Sequence, residues 1–322
     1  MTRRRKLRRW LLPLALVGLP ALALAFFWQF QLRRPIGEGP VAIPVPAAPF
    51  SKPWTDRQVL LVGLGDSVTA GFGASPGKSY FERIIANPPD EFNDLMGLCL
   101  SRVLPNLSAT NLAMSGTTSQ QHLRAEIPKL VRQPTHVLGL VVFTTGGNDL
   151  IHNYGRTPPS DGAMYGASFE QARPWVATFA HRLETMLDAI RAAFPGGCHI
   201  FLANIYDPSD GTGSLRWVGL PAWPDGLKLL AAYNEILSTA ADRHPDVHLV
   251  DIHEPFLGHG LSCAQFWRVH YDRQDPHYWY HVNVEDPNDR GYDALRRLFL
   301  NAIATHVARE TAQLPHQSTW LD

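Results

Sequence analysis

Downstream of residue 57, apolar residues gather into five short runs: 58–63 (QVLLVG), 109–113 (ATNLA), 136–143 (HVLGLVVF), 199–205 (HIFLANI) and 247–252 (VHLVDI). Each has strand length and β-branched or aromatic content. Helical spacing fills the intervals, in "TTSQQHLRAEIPKLVRQ" after the second run, "EQARPWVATFAHRLETMLDAIRAAF" after the third and "GLKLLAAYNEILSTAADRH" after the fourth. A final stretch, "DRGYDALRRLFLNAIATHVARE", sets Leu295, Leu298, Phe299, Ala302 and Ile303 on one apolar face. Strand and helix alternating in this way predict a parallel sheet covered on both faces. In such sheets ligands bind at the carboxyl ends of the strands.

The N-terminus follows a different pattern. Trp10 to Phe30 is a run of 21 residues without a charge, long enough for a helix to cross a hydrocarbon core of about 30 Å. Six Lys/Arg precede it and Arg33 and Arg34 follow, an asymmetry that orients the rest of the chain outward. A cleavable signal is the competing reading, since Ala23-Leu24-Ala25 is a small-x-small site. The apolar run continues past it through Phe26, Phe27 and Trp28, which favours an anchor. Either way the body is expected outside the cytoplasm, periplasmic or extracellular, and secreted if the signal is cut. Six prolines between Pro35 and Pro53 predict an extended, semi-rigid spacer. The expected organisation is therefore an anchor or signal over 1–34, a linker over 35–53 and one domain over 54–322.

Charge and cysteine content narrow the functional classes. The formal net charge of zero hides eight basic residues in the first 34, which leaves 21 basic against 29 acidic residues beyond them. An acidic body without a basic run argues against nucleic acid as a partner. Cys99, Cys198 and Cys263 permit at most one disulfide and form no zinc-type pattern. Cys198, opening an apolar run, is expected in the core.

Two motifs compete in "LLVGLGDSVTAGFGASPGKSY". The Gly77-Lys78-Ser79 triplet lacks the glycine that a phosphate-binding loop needs five residues before it, because Phe72 stands there. Ser79 is better read as the N-cap of the helix "YFERIIAN". A dinucleotide fingerprint fails likewise, with Val68 where its third glycine belongs. Ser67 ends a buried strand just before a turn of small residues, which exposes its hydroxyl and aims backbone amides at the same space. The next strand ends in "NLAMSGTTSQ" with Gly116, and the third in "FTTGGND" with Asn148. A hydroxyl, a glycine amide and a side-chain amide on three successive strand ends are what an acyl-transfer oxyanion requires.

Gly65-Asp66-Ser67, Gly116 in its N-L-A-x-S-G setting and Gly146-Gly147-Asn148-Asp149 resemble, in order and spacing, the first three sequence blocks of the GDSL, or SGNH, hydrolases. The resemblance runs from about Leu60 to the final helix. It implies a flavodoxin-like three-layer α/β/α sandwich with a five-stranded parallel sheet, here preceded by the transmembrane helix. It also implies ester hydrolysis through Ser67, with the Ser67 and Gly116 amides and the Asn148 side chain holding the oxyanion. No cofactor and no metal are required.

The fourth block departs from the family. D-x-x-H-P-N is expected before the last helix, but Asn283 stands where the aspartate belongs and Asp286 where the histidine belongs. A serine nucleophile needs a base, so the substitution matters. Five of the fourteen histidines fall between His253 and His281. His281, five residues upstream of the expected position, is the first choice of base and His277 the second, although "HYWYH" also reads as aromatic packing. Asp286, Asp275 and Glu285 are candidates for the acid that orients it. His277 and His281, spaced i, i+4 beside Asp275, would suit a metal only on a helix, which Pro276 and the aromatic run disfavour. The long loops 151–168 and 206–226 are expected to wall the substrate site.

The expected function is an extracytoplasmic serine ester hydrolase whose partners are an acyl ester, lipid or acylated glycan, and the membrane. An acyltransferase acting on an envelope glycan fits the same residues. So does an inactive relative that binds acylated glycan or lipid, because the fourth-block histidine is replaced.

Overall fold

In the computed structural model, which describes residues 16–308, the five apolar runs form the strands β1 (Gln58–Gly65), β2 (Leu107–Asn111), β3 (Val137–Thr144), β4 (Cys198–Ala203) and β5 (Val247–Val250). All pairings are parallel and the spatial order is β2-β1-β3-β4-β5. Winding reverses between β1 and β3, and this switch opens a crevice at their carboxyl ends. β2 is the polar edge strand, whereas β3 is buried along its whole length.

Side-chain alternation sorts the strands into two cores. Val59 and Leu61 of β1, Leu138, Leu140 and Val142 of β3 and Phe201 of β4 face one layer. Val62 and Leu64, Val141 and Phe143, and Ile200 and Leu202 face the other. This period of two is what a strand buried on both sides demands. The helices that complete or frame the layers are α1 (Ser67–Ala70), α2 (Tyr80–Ile85), α3 (Gly147–Ile151), α4 (Phe169–Ala193), α5 (Gly226–Arg243) and α6 (Asp289–Ile303). α4 and α5 cover one face through Phe179, Leu183, Met186 and Ile190 and through Leu229, Tyr233 and Leu237, at helical spacing. α6 covers the other through Tyr292, Leu295, Phe299 and Ile303, with Phe299 stacked on Tyr80 of α2 at 4.6 Å. Ser79 caps α2, its hydroxyl accepting from Glu82 N at 3.3 Å.

The stretch expected as a helix after β2 is broken. It passes from a single α-turn (Ser119–Gln121) into π-helix (His122–Glu126) and 3-10 helix (Ile127–Lys129). Pro128 lacks the amide a continuing helix would use. The buried polar side chains of His122 and Glu126 also face inward and take partners there: Gly65 N donates to Glu126 Oε2 at 2.8 Å. α6 likewise ends at Ile303 in a π-turn over Ala304–Ala308, and the rest of its sequence run lies outside the described residues.

The N-terminal expectations need correction. Residues 10–15 of the charge-free run lie outside the described residues; residues 16–27 are helical and pass into the π-turn Trp28–Leu32. Among the described residues no helix is long and apolar enough to cross a membrane. Instead, the helix end folds its aromatics onto the body. Phe26 stacks on Trp267 at 5.5 Å, Phe27 meets Trp217 edge-on at 5.2 Å, and Phe30 contacts Phe266 and Trp267.

The proline-rich segment is no free spacer either. Tyr278 N donates to Pro35 O at 2.7 Å and Val41 N to Asp293 Oδ2 at 3.1 Å. Arg290 Nη1 donates to Gly39 O at 2.8 Å, and Arg297 Nη1 to Ile43 O at 3.0 Å. The extended backbone leaves its carbonyls unpaired, and the arginines of α6 use those of Glu38, Gly39 and Ile43 to hold the segment as a strap across that helix. Cys99, Cys198 and Cys263 are free thiols; Cys198 opens β4 half-buried.

Candidate active site

Three strand ends and one loop converge at the crevice. β1 ends at Gly65, whose φ of +117° and absent Cβ let the chain pass Thr144; a Cβ there would stand 1.9 Å from Thr144 O. Asp66 then caps α1, its Oδ1 accepting from Val68 N at 3.1 Å and from Thr144 Oγ1 at 2.8 Å. Ser67 therefore occupies the first turn of a very short helix, where free backbone amides point outward. Burial pushes the Asp66 carboxyl up to about 6, against the lowering pull of those hydrogen bonds.

Beyond β3, Gly146 turns the chain with φ +94° and delivers Asn148 on α3. Asn148 Nδ2 donates one hydrogen to Thr117 O at 2.9 Å, which fixes the amide and leaves its second hydrogen to aim elsewhere. Asp149, next in the chain, is wholly buried. It accepts from Ser119 N at 2.7 Å, from Ser119 Oγ at 2.5 Å and from Arg182 Nη2 at 3.2 Å, tying α3 to the loop after β2 and to α4. Gly116 sits in that loop with φ +80° and open space where a side chain would be. Ser67 and Asn148 line one cavity at these strand ends; Gly116 lies outside its wall.

The fourth component is the turn 281–288, closed by His281 N donating to Asp286 O at 2.6 Å. Within it Val284, a β-branched residue, holds a φ of +72°, a conformation that costs on the order of 1–3 kcal/mol and persists where surrounding contacts impose it. Asn283 Nδ2 donates to Asp286 Oδ2 at 2.6 Å, and Asp286 N returns a bond to Asn283 Oδ1 at 3.2 Å. Asp286 Oδ1 is buried and makes no hydrogen bond of regular geometry, while the Ser67 hydroxyl is the first of the groups that draw the Asp286 pKa down. Burial is the larger influence and raises that carboxyl above its ordinary value. Glu285 lines the cavity beside it, pushed up to about 7 by burial and by the charges of Asp286 and Asp66.

The two histidines are placed elsewhere. The His281 ring packs edge-on to Phe72 at 6.0 Å and against Gly73, and it acts on Asp286 only as a neighbouring charge. His277 Nδ1 bonds Asp275, whose other oxygen accepts from Arg290 Nη2 at 2.7 Å, beneath Gly37 of the strap. Asp275 thus belongs to the strap's anchorage. Residues 277–281 are not helical, and among the described residues no three His, Cys, Asp or Glu are gathered as a metal ion would require. Sequence reasoning missed Glu126, whose carboxyl braces Gly65 from below; its only signal was an acid on the inner face of a proline-broken helix.

The sequence model of the GDSL-like lipase/acylhydrolase family matches residues 64–294. Among solved structures, an extracellular lipase from Streptomyces rimosus superposes with a TM-score of 0.51 at 20% identity, covering 76% of this chain and 99% of that one. A phospholipase A1 from Streptomyces albidoflavus gives 0.49 at 19% identity, covering 76% and 99%. An acetylxylan esterase from Geobacillus stearothermophilus gives 0.48 at 16%, covering 77% and 96%. No curated protein sequence matches the chain.

Proposed function

Since the chain belongs to the GDSL-like lipase/acylhydrolase family and is a carboxylic ester hydrolase, we propose that Ser67 is its nucleophile and that Asp286, rather than a histidine, is the base. Ser67 Oγ attacks the ester carbonyl carbon while its proton passes to Asp286 Oδ1. The oxyanion is held by the Ser67 and Gly116 amides and by the free hydrogen on Asn148 Nδ2. Collapse breaks the bond to the alcohol oxygen, which leaves with the proton from Asp286. Water, giving a proton to the same carboxylate, then attacks the acyl-enzyme and releases the acid and Ser67.

The observation that carries this reading is the bond from Asn283 to Asp286 Oδ2, which leaves Oδ1 to Ser67. In the family pattern, a histidine N–H at the fourth position donates to an aspartate three residues earlier. Here donor and acceptor have exchanged ends: an amide at 283 donates to a carboxylate at 286. An aspartate at 283 would place two carboxylates in contact, so the two substitutions suit each other. An exposed aspartate is too weak a base near neutral pH, and desolvation strengthens this one.

Hydrolysis of p-nitrophenyl butyrate by the full chain tests the assignment. Ser67→Ala is expected to lose about 10⁴-fold or more in kcat, Asp286→Asn about 10³-fold, and His281→Ala less than fivefold. Full activity in Ser67→Ala would remove the nucleophile; full activity in Asp286→Asn with an inert Ser67→Ala would place the base elsewhere. We also propose that the body lies outside the cytoplasm, on the charge pattern of residues 1–34 alone. Proteolysis of intact against lysed cells tests that placement.

A further inference from the structure

The cavity beside Ser67 has a volume of about 130 Å³ and lies under the carboxyl ends of the central strands. Its far wall is apolar, built from Ile151, Tyr165, Leu215, Trp223, Leu227 and Leu230. The polar ends of the two aromatics are engaged away from it: Tyr165 OH donates to Pro221 O at 2.7 Å and Trp223 Nε1 to Ala167 O at 2.8 Å. Their rings, 4.9 Å apart and tilted, both line the space.

Two polar residues of the wall, Asn204 and Asp207, are committed to neighbours, while Asp66 and Glu285 stand on the side of Ser67 and Asp286. Asn204 donates to Asp251 and accepts from Ile252 N and His253 N. Asp207 accepts from Ser209 N, Ser209 Oγ and Gly211 N. Away from Ser67, Asn148 and the carboxyls of Asp66 and Glu285, what enters this cavity meets shape and apolar contact.

Resting on the assignment of Ser67, we propose that this cavity is an acyl-chain pocket with a dead end, and that it selects esters of straight-chain acids of about six carbons over acetyl and long-chain esters. An engineered apolar cavity of about 150 Å³ accommodates benzene, six carbons, which sets the scale for 130 Å³. The acyl half is the occupant because it stays on Ser67 through both steps. The alcohol leaves after the first step, and its place must be refilled by water beside Asp286. A blind apolar end suits the group that stays and not the one that is exchanged.

The test is kcat/KM of the full chain on p-nitrophenyl esters from acetate to laurate. The expected profile rises about fourfold per methylene, the equivalent of ~0.8 kcal/mol each, to about hexanoate, and then falls. Leu227→Trp, filling the pocket from a half-buried position, should lower the hexanoate-to-acetate preference about 100-fold. Leu230→Ala, lengthening it, should move the optimum to longer chains. A Ser67-dependent activity that is flat or still rising at laurate would overturn the proposal, as would variants that scale every ester equally. Calorimetric titration of the Ser67→Ala chain with sodium hexanoate and sodium laurate separates the two failures. Hexanoate binding that Leu227→Trp abolishes supports the pocket even if no ester is hydrolysed. Its absence overturns the pocket, and loss of all Ser67-dependent hydrolysis overturns the nucleophile.

Discussion

The half of the site proposed to hold the ester and the half proposed to move its proton are built in different ways. The first is made of strand ends. Gly65 and Gly146 adopt conformations that glycine tolerates best, Asp66 and Asn148 are fixed by hydrogen bonds to neighbouring strands and loops, and β3 behind them is fully buried. The second is a single turn between Tyr280 and Asn288, carrying a strained Val284 and held by the mutual bonds of Asn283 and Asp286. Backbone geometry that depends on the core leaves little freedom to vary. A proton acceptor needs only to arrive at one place with a suitable pKa, so its chemical identity can change while the scaffold stays.

Restoring the family chemistry in the turn gives the largest expected contrast. Asp286→His alone would leave its imidazole facing the Asn283 amide, whereas Asn283→Asp with Asp286→His supplies an acceptor for the ring. The double variant is expected to recover at least 100-fold of the roughly 10³-fold lost in Asp286→Asn, with an acid limb set by an imidazole. Steady-state kinetics across pH would show both, and a double variant as inert as Asp286→Asn would break the proposed equivalence.

On the strand-end side, Asn148→Ala is expected to cost about 10²–10³-fold in kcat with little change in KM, the signature of a donor used in the transition state. Asn283→Ala should cost about tenfold at neutral pH, the lower end of what a lost orienting hydrogen bond removes. It should also move the acid limb of kcat/KM to higher pH, because the carboxylate loses a donor that favours its charged form.

The smallest effect concerns stability. Burial holds Asp66 up to about 6 and Glu126 and Glu285 up to about 7. An acid whose folded pKa is raised favours the native state while protonated, and that contribution is lost as pH climbs from its unfolded value through the folded one. His122 and His248, held down to about 3 and about 4, act oppositely but only below their unfolded value near 6.5. Between pH 6.5 and 8 the carboxyls therefore dominate, and Tm should fall by a few degrees. Calorimetry at those two pH values checks it, and Glu285→Gln should flatten the slope.

Much of the fold was legible because period-two burial on both faces of β1 and β3 leaves long apolar runs, and α4, α5 and α6 carry clean helical stripes. The strand-end residues stood out in the sequence because glycine, serine and asparagine at such ends have few other uses in combination, and the structure sets Ser67 and Asn148 on one cavity. The turn was opaque for a physical reason. A base is identified by the atom it faces, and residues 281–286 place two carboxyls and an imidazole within a few positions of one another. Proximity in sequence favoured His281; the direction of the Asn283 amide and the packing of Phe72 on His281 favour Asp286. The strap was misread because proline content reports an extended backbone equally well whether that backbone is free or docked. The arginines of α6 that dock it lie some 250 residues away in the chain.

That separation has a consequence in time. Val41 is bonded to Asp293 across 252 positions, and ribosomes add about 5–20 residues per second. The strap must therefore wait on the order of 10–50 s after its own synthesis before its partner helix exists. During that interval the sheet can assemble strand by strand, while the N-terminal segment remains unmoored and open to whatever machinery handles nascent chains. The buckle closes only when α6 arrives, so a product cut short before Arg290 lacks the bonds from Arg290, Asp293 and Arg297 that fasten the strap.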